Sequence, residues 1–179
     1  MSRPRRSFVA GAALTLLTGL AVAAAPPAAA SDHRSLTTWY HWGRQDNFSA
    51  ATTTQDSAAE AAGYELIRRE EAWVLSRRTG DSATQRPLYL YYSSARGDNV
   101  SAAHPETVAA AVSAGYTYQG LQGYVWTTRQ PGTVPLYQYW HPGRGDNFAA
   151  ASPQGIAAAV GAGYVRVRVE GYVYPGTAF

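Results

Sequence analysis

A mainly β fold with short helices, closed as a pseudo-threefold β-trefoil-like barrel with one short helix per repeat, is what this sequence predicts. Three observations lead there. An aromatic pattern occurs three times, as LTTWYHWGRQDNF from Leu36, LYLYYSSARGDNV from Leu88 and LYQYWHPGRGDNF from Leu136. Each copy's Asp-Asn pair (Asp46-Asn47, Asp98-Asn99, Asp146-Asn147) is followed by Ala-Gly-Tyr, with Asp and Ala always sixteen residues apart. Within each copy, side chains alternate with the period of two that a strand imposes. Three units of about 50 residues are too few for a propeller but suit a closed arrangement. An open stack of such units would need polar capping copies, and none is visible.

The chain opens with Arg3, Arg5 and Arg6, an apolar stretch from Phe8 to Ala25, and Ala28-Ala29-Ala30 before Ser31. Residues 1–30 therefore read as a secretory signal peptide, and residues 31–179 as one domain with repeats at about 36–76, 87–130 and 135–175. Arg5-Arg6-Ser7-Phe8-Val9 also loosely fits a twin-arginine signal, so two export routes stay open.

Each repeat begins with a strand. Leu88, Leu90 and Tyr92 point one way, Tyr89 and Tyr91 the other. Because Thr38 and Gln138 stand where the second copy has Leu90, that face is expected to be partly wet. The face of Thr37, Tyr89 and Tyr137 with Trp39, Tyr91 and Tyr139 is then the better core candidate. A turn of Gly, Pro, Ser and Asx residues follows. A short helix comes next, signalled by Ser152-Pro153 and by His104-Pro105, carrying Val108 with Val112 or Ile156 with Val160. It ends at Gly115 or Gly163 as a left-handed residue, with the following Tyr packing back. In the first copy Asp56 and Glu60 replace the apolar pair, which leaves that helix either more exposed or turned differently. A hairpin-like stretch with Gly120, Gly123 and Gly171 completes the repeat, and Arg77–Arg86 reads as a surface loop between the first two copies.

Without residues 1–30 the charges balance, at twelve Arg against twelve acids. A nucleic-acid partner is not expected, because phosphate neutralisation needs a basic excess. No later stretch reaches the roughly 20 apolar residues of a membrane span. The absence of cysteine excludes disulfides, thiolate metal sites and a Cys nucleophile.

The residues Pro135-Leu136-Tyr137-Gln138-Tyr139-Trp140, Gly145-Asp146, the Ala-Gly-Tyr ends and Gly171-Tyr172-Val173-Tyr174 resemble a family of tyrosine-rich repeats, the domain of unknown function 5648, over residues 36–175. The resemblance is weakest in the first copy. It implies an accessory module of secreted bacterial and fungal proteins, related to cell walls or carbohydrate and often appended to hydrolases. The family's Asp-His-Phe-Tyr-Thr is replaced by Asp46-Asn47-Phe48-Ser49-Ala50 and its counterparts, so no role of that His or Tyr carries over.

The ligand-binding candidates are Tyr40, Arg44, Asp46 and Asn47, then Tyr92, Arg96, Asp98 and Asn99, then Trp140, Arg144, Asp146 and Asn147. Each set offers an aromatic face, a cation and planar polar groups, which is how sugars are held. The plain alternative is that Asp and Asn bond the turn backbone. No metal is expected, since a single turn supplies one carboxylate where calcium wants six or more oxygens. His41 and His141 read as exposed turn residues. No catalytic residue or cofactor is assigned: Glu65, Glu70, Glu71, Glu106 and Glu170 fall at unmatched positions, and no Gly-x-Ser-x-Gly elbow occurs. The expectation is a secreted, extracellular, monomeric, non-catalytic module for polysaccharide or cell-wall glycan. A secreted protein partner is the alternative, and a small hydrolase comes third.

Overall fold

In every copy the strand alternation and the turn produce one unit of β-β-α-β order. The computed structural model describes residues 32–177, so the expected leader lies outside the described residues. The first unit comprises β1 (His33–His41), β2 (Asp46–Ala50), α1 (Thr53–Ala61) and β3 (Glu65–Leu75). The second comprises β4 (Gln85–Ser93), β5 (Asp98–Ala102), α2 (Pro105–Ser113) and β6 (Thr117–Trp126). The third comprises β7 (Val134–His141), β8 (Asp146–Ala150), α3 (Pro153–Gly161) and β9 (Val165–Pro175). Each first strand pairs antiparallel with the short strand after its turn and, on its other edge, with the long last strand of the same unit.

The sheet is antiparallel and open; the barrel expected from the repeat count is not closed. Its main order is β2-β1-β3-β6-β9-β7-β8, with β4 pairing β5 and β6 off this path. The long strands meet only near their C-terminal ends, through Leu75 with Tyr124, Trp126 with Tyr172, and Ala72 and Trp73 with Pro175 and Tyr174. Such short ladders cannot continue a barrel wall. Gly123 and Gly171 lie at this junction: a Cβ on Gly123 would stand 2.6 Å from the Leu75 carbonyl oxygen, and one on Gly171 2.8 Å from that of Trp126. The glycines permit the close approach.

The C-terminal stretch of each unit is one long strand, not a hairpin, because its whole length pairs with the unit's first strand across two register shifts. The burial of the first strands also reverses the expectation. Leu36, Leu88 and Leu136 are fully buried, and Thr38, Leu90 and Gln138 nearly so, whereas Thr37, Tyr89, Tyr137 and Trp39 are half-buried. Tyr91 and Tyr139 are buried on that second face. The face judged wet is the one that meets the other units, where its polar members find partners: Gln138 Nε2 donates to Asn147 Oδ1 at 2.9 Å. The three leucines join Ala72, Val74, Val125 and Val173 in a core shared by all three units.

The helices begin at caps Thr52, His104 and Ser152, each accepting a backbone N–H of the first turn. They are followed by Gly63, Gly115 and Gly163 at φ +82°, +82° and +85°, the left-handed stop the sequence predicts. The buried positions are Gln55 and Ala59, Thr107 and Ala111, Gly155 and Ala159, while Val112 and Val160 face outward. Helix α1 sits like the others. Its Asp56 accepts from Thr37 Oγ1 at 2.8 Å and Trp39 Nε1 at 2.9 Å, so an acid and two donors replace the apolar contacts of the other units. The loop after β3 ends sooner than predicted. Gln85 and Arg86 already belong to β4, and Gln85, fully buried, accepts the N–H groups of Thr79 and Gly80. Among the described residues no helix is long and apolar enough to cross a membrane.

Candidate functional site

The turns bring β2, β5 and β8 together, and with them the three Asp-Asn pairs. Carboxylate oxygens of Asp46, Asp98 and Asp146 lie within 4.8 Å of one another, all buried. Each accepts the hydroxyl of its own unit's Ala-Gly-Tyr tyrosine: Tyr64 on Asp46, Tyr116 on Asp98, Tyr164 on Asp146. The asparagines link one unit to another. Asn47 donates its backbone N–H and its side chain to Asp146 (3.2 and 2.9 Å), and Asn147 does the same to Asp98 (3.0 and 2.7 Å). Asn99 donates to Tyr64 Oη at 3.1 Å.

Burial holds all three aspartates above the usual carboxylate range, to about 8 for Asp46 and about 7 for Asp98, and the charge of neighbouring aspartates adds to the rise at these two. The tyrosine hydroxyls are pushed up as well, first by burial and then by the carboxylates they face. Each turn supplies one carboxylate, and the fold gathers three. What surrounds them is a shell of tyrosine O–H and asparagine N–H donors, which suits carboxyl oxygens as acceptors and would oppose a cation.

Around this polar centre lie three clefts, one at each junction between units. Cleft volumes are about 250, 300 and 440 Å³, near the lower end for small-ligand sites. The first has Arg144, Phe148, Tyr164 and the alanine face of α3 on one side, and Thr38, Tyr40, Asn47, Ile67 and Arg68 on the other. The second sets Arg96, Tyr116 and α2 against Gln138, Trp140, Asn147, Val167 and Arg168. The third sets Arg44, Tyr64 and α1 against Leu90, Tyr92, Asn99 and Gln119. Register shifts in β3, β6 and β9 fall at Ile67, Gln119 and Val167, the residues between paired positions. A bulge re-aims a side chain in this way.

Each candidate set is therefore split: the aromatic and the asparagine of one unit share a cleft with the arginine of another. Tyr40 faces Arg144, Trp140 faces Arg96, and Tyr92 faces Arg44. Each guanidinium lies over its own unit's tyrosine, Arg44 at 4.9 Å from the Tyr64 ring centre, Arg96 at 5.8 Å from Tyr116 and Arg144 at 5.6 Å from Tyr164. Tyr40, Tyr92 and Trp140 are half-buried, and each asparagine lines one cleft. The aspartates lie beneath the clefts and line none of the three. His41 and His141 brace the turns, accepting the N–H of Arg44 and Arg144 at 3.1 Å. Trp42, 64% exposed, extends the first cleft and meets Tyr40 edge-on at 4.9 Å. It was not among the sequence candidates, although it is the one aromatic inside any of the three turns.

Glu71 and Glu170 are a further correction: they occupy matching positions, with Gln122 between them, once the units are aligned on Ala72, Gly123 and Gly171. One additional residue after Tyr64 hid the match. Both are fully buried at the start of another unit's helix. Glu71 accepts the N–H groups of Ala151 and Ser152 at 2.8 and 2.7 Å, and Glu170 those of Ala103 and His104 at 2.7 Å each. These acids hold helices and do not face a cleft.

No curated protein and no solved structure matches the chain. A family model described as a domain of unknown function (DUF5648) matches residues 35–174, so the chain belongs to that family.

Proposed function

We propose that this protein is a secreted, extracellular, non-catalytic module that binds polysaccharide or cell-wall glycan through its inter-unit clefts. The observation that carries the reading is the repeated lining: at each junction a partly exposed aromatic stands opposite an arginine already stacked on a tyrosine, and an asparagine lines the same cleft. Aromatic faces with few, fixed polar groups suit the apolar face and hydroxyl rim of a pyranose. Several shallow sites gain strength when one chain engages them together.

The exposed apolar residues support a glycan over a protein partner. Ile67, Tyr118, Val165 and Val167 are spread over the last strands of all three units, where a protein interface would gather them in one patch. The non-catalytic reading rests on the clefts' lining, which includes no carboxylate. The cyclic contacts, first unit to third, third to second and second to first, support an approximate threefold, trefoil-like arrangement of these sites.

Retention of residues 31–179 on a glycan array containing peptidoglycan and chitin tests the reading. Trp140→Ala is expected to cut retention about tenfold, equivalent to the loss of about 1.4 kcal/mol, with the thermal transition unchanged. Absence of retention on every glycan overturns it in favour of a secreted protein partner.

A further inference from the structure

The three clefts differ in what their floors leave unpaired. Gln138 and Arg168 are direct partners across β7 and β9, and both line the cleft of Arg96 and Trp140. Gln138 is 1% exposed. Its Nε2 donates to Asn147 Oδ1 and the Tyr139 carbonyl, while its Oε1 is buried without a partner. Arg168 Nη1 pairs with Glu106 and lies 3.3 Å from His104 Nδ1, while its Nε is likewise buried and unpaired. An orphaned buried polar atom costs about 1–3 kcal/mol, so an acceptor and a donor left open side by side mark a place where a ligand completes the bonding.

The equivalent floors offer less. Thr38 and Arg68 both give their polar groups to Glu71 (3.4 and 2.5 Å), and the third floor has Leu90 and Gly120. Charge favours an anion here, as it does beside Arg44 and Arg144 in the other two clefts, so the unpaired floor is what sets this cleft apart. Arg96 makes no ion pair among the described residues. Its guanidinium lies 6.0 Å from the Trp140 ring centre, and no carboxylate lines the cleft.

We propose that the cleft between the second and third units takes a carboxylate-bearing sugar of an acidic polysaccharide. The ring face lies on Trp140 and the carboxylate meets Arg96. A ring hydroxyl donates to Gln138 Oε1, and an oxygen beside it accepts from Arg168 Nε. This assignment rests on the glycan reading above and narrows its ligand class.

Calorimetric titration with oligomers of galacturonic and of mannuronic acid, each as sodium salt and as methyl ester, tests it, with inorganic polyphosphate as the anion control. One acid form is expected to bind at least about tenfold tighter than its ester, the usual worth of a charge-assisted bond. Arg96→Gln is expected to remove that preference. Gln138→Leu, which places in the third unit what the second already carries as Leu90, is expected to weaken the acid form about tenfold with an unchanged thermal transition. Equal binding of acid and ester overturns the proposal, as does polyphosphate binding as tightly as the uronates. Silence toward every acid oligomer, with neutral glycans still retained on the array, overturns this proposal and leaves the broader reading standing.

Discussion

Asp46 shows how one residue type serves a purpose its local sequence does not disclose. Within its own copy it is a turn residue before a strand; in the fold it is one of three carboxyls pressed together under a shell of donors. Its carboxyl is raised to about 8 and that of Asp98 to about 7, so the native state keeps protons that the unfolded chain releases above pH 4. Stability is therefore fully present below about pH 4 and falls as pH rises through the native values, by about 1.4 kcal/mol per pH unit for each retained proton. Urea denaturation is expected to give a protein less stable at pH 8 than at pH 5 by about 3 kcal/mol or more. Asp46→Asn, which still accepts from Tyr64, is expected to flatten that slope and to exceed the wild type at pH 8. A slope unchanged by the substitution would show that the aspartates do not set it.

The helices owe their placement to an acid or amide from another unit as much as to their own caps. Glu71 neutralises the N-terminal end of α3, where backbone donors and the helix dipole favour negative charge. Gly155 in that helix leaves room for it: a Cβ there would meet the carboxylate. At the matching position of α2, Thr107 donates to Glu170 at 2.5 Å. In α1, Gln55 itself accepts the Ala51 N–H at 2.9 Å, and the residue matching Glu71 and Glu170 is Gln122, which donates to the Ser49 carbonyl at 2.6 Å. Helix residue and partner vary together from unit to unit. Glu71→Ala is expected to cost about 3 kcal/mol, since it orphans two buried amides and the Arg68 guanidinium, whereas Glu71→Gln keeps part of the bonding and costs less. Equilibrium unfolding distinguishes the two, and equal losses would refute the charge argument.

At the scale of the molecule every unit depends on another: Asn47 on Asp146, Asn147 on Asp98, and α3 and α2 on Glu71 and Glu170. A fragment of residues 32–131 lacks Asp146 and α3, so it is expected to show no cooperative unfolding transition by circular dichroism. The two ends of the described chain lie together, with the His33 and Tyr174 rings 5.1 Å apart and Trp73 Nε1 donating to the Gly176 carbonyl. A circular permutant joined there and opened near Gly132 is expected to fold with a transition within a few degrees of the parent. A cooperative fragment, or an unfolded permutant, would contradict this dependence among units.

The amino-acid sequence determined what is local. The threefold copy number, the strand alternation, the Ser152-Pro153 start of α3 and the left-handed glycines before Tyr116 and Tyr164 all follow from neighbours within a few residues. The aromatic, arginine and asparagine components of the clefts were also legible, because the repeat displays them three times. Which partner each one meets was not. Tyr40 facing Arg144, three aspartates converging, and Glu71 reaching α3 join residues about 48 to 104 positions apart, and pattern and spacing carry no information on such pairings. Burial followed the same division. Alternation separated the two faces of β1, β4 and β7, but only the packing of unit against unit decided which face is dry, because the Thr38 hydroxyl and the Gln138 amide N–H find acceptors inside.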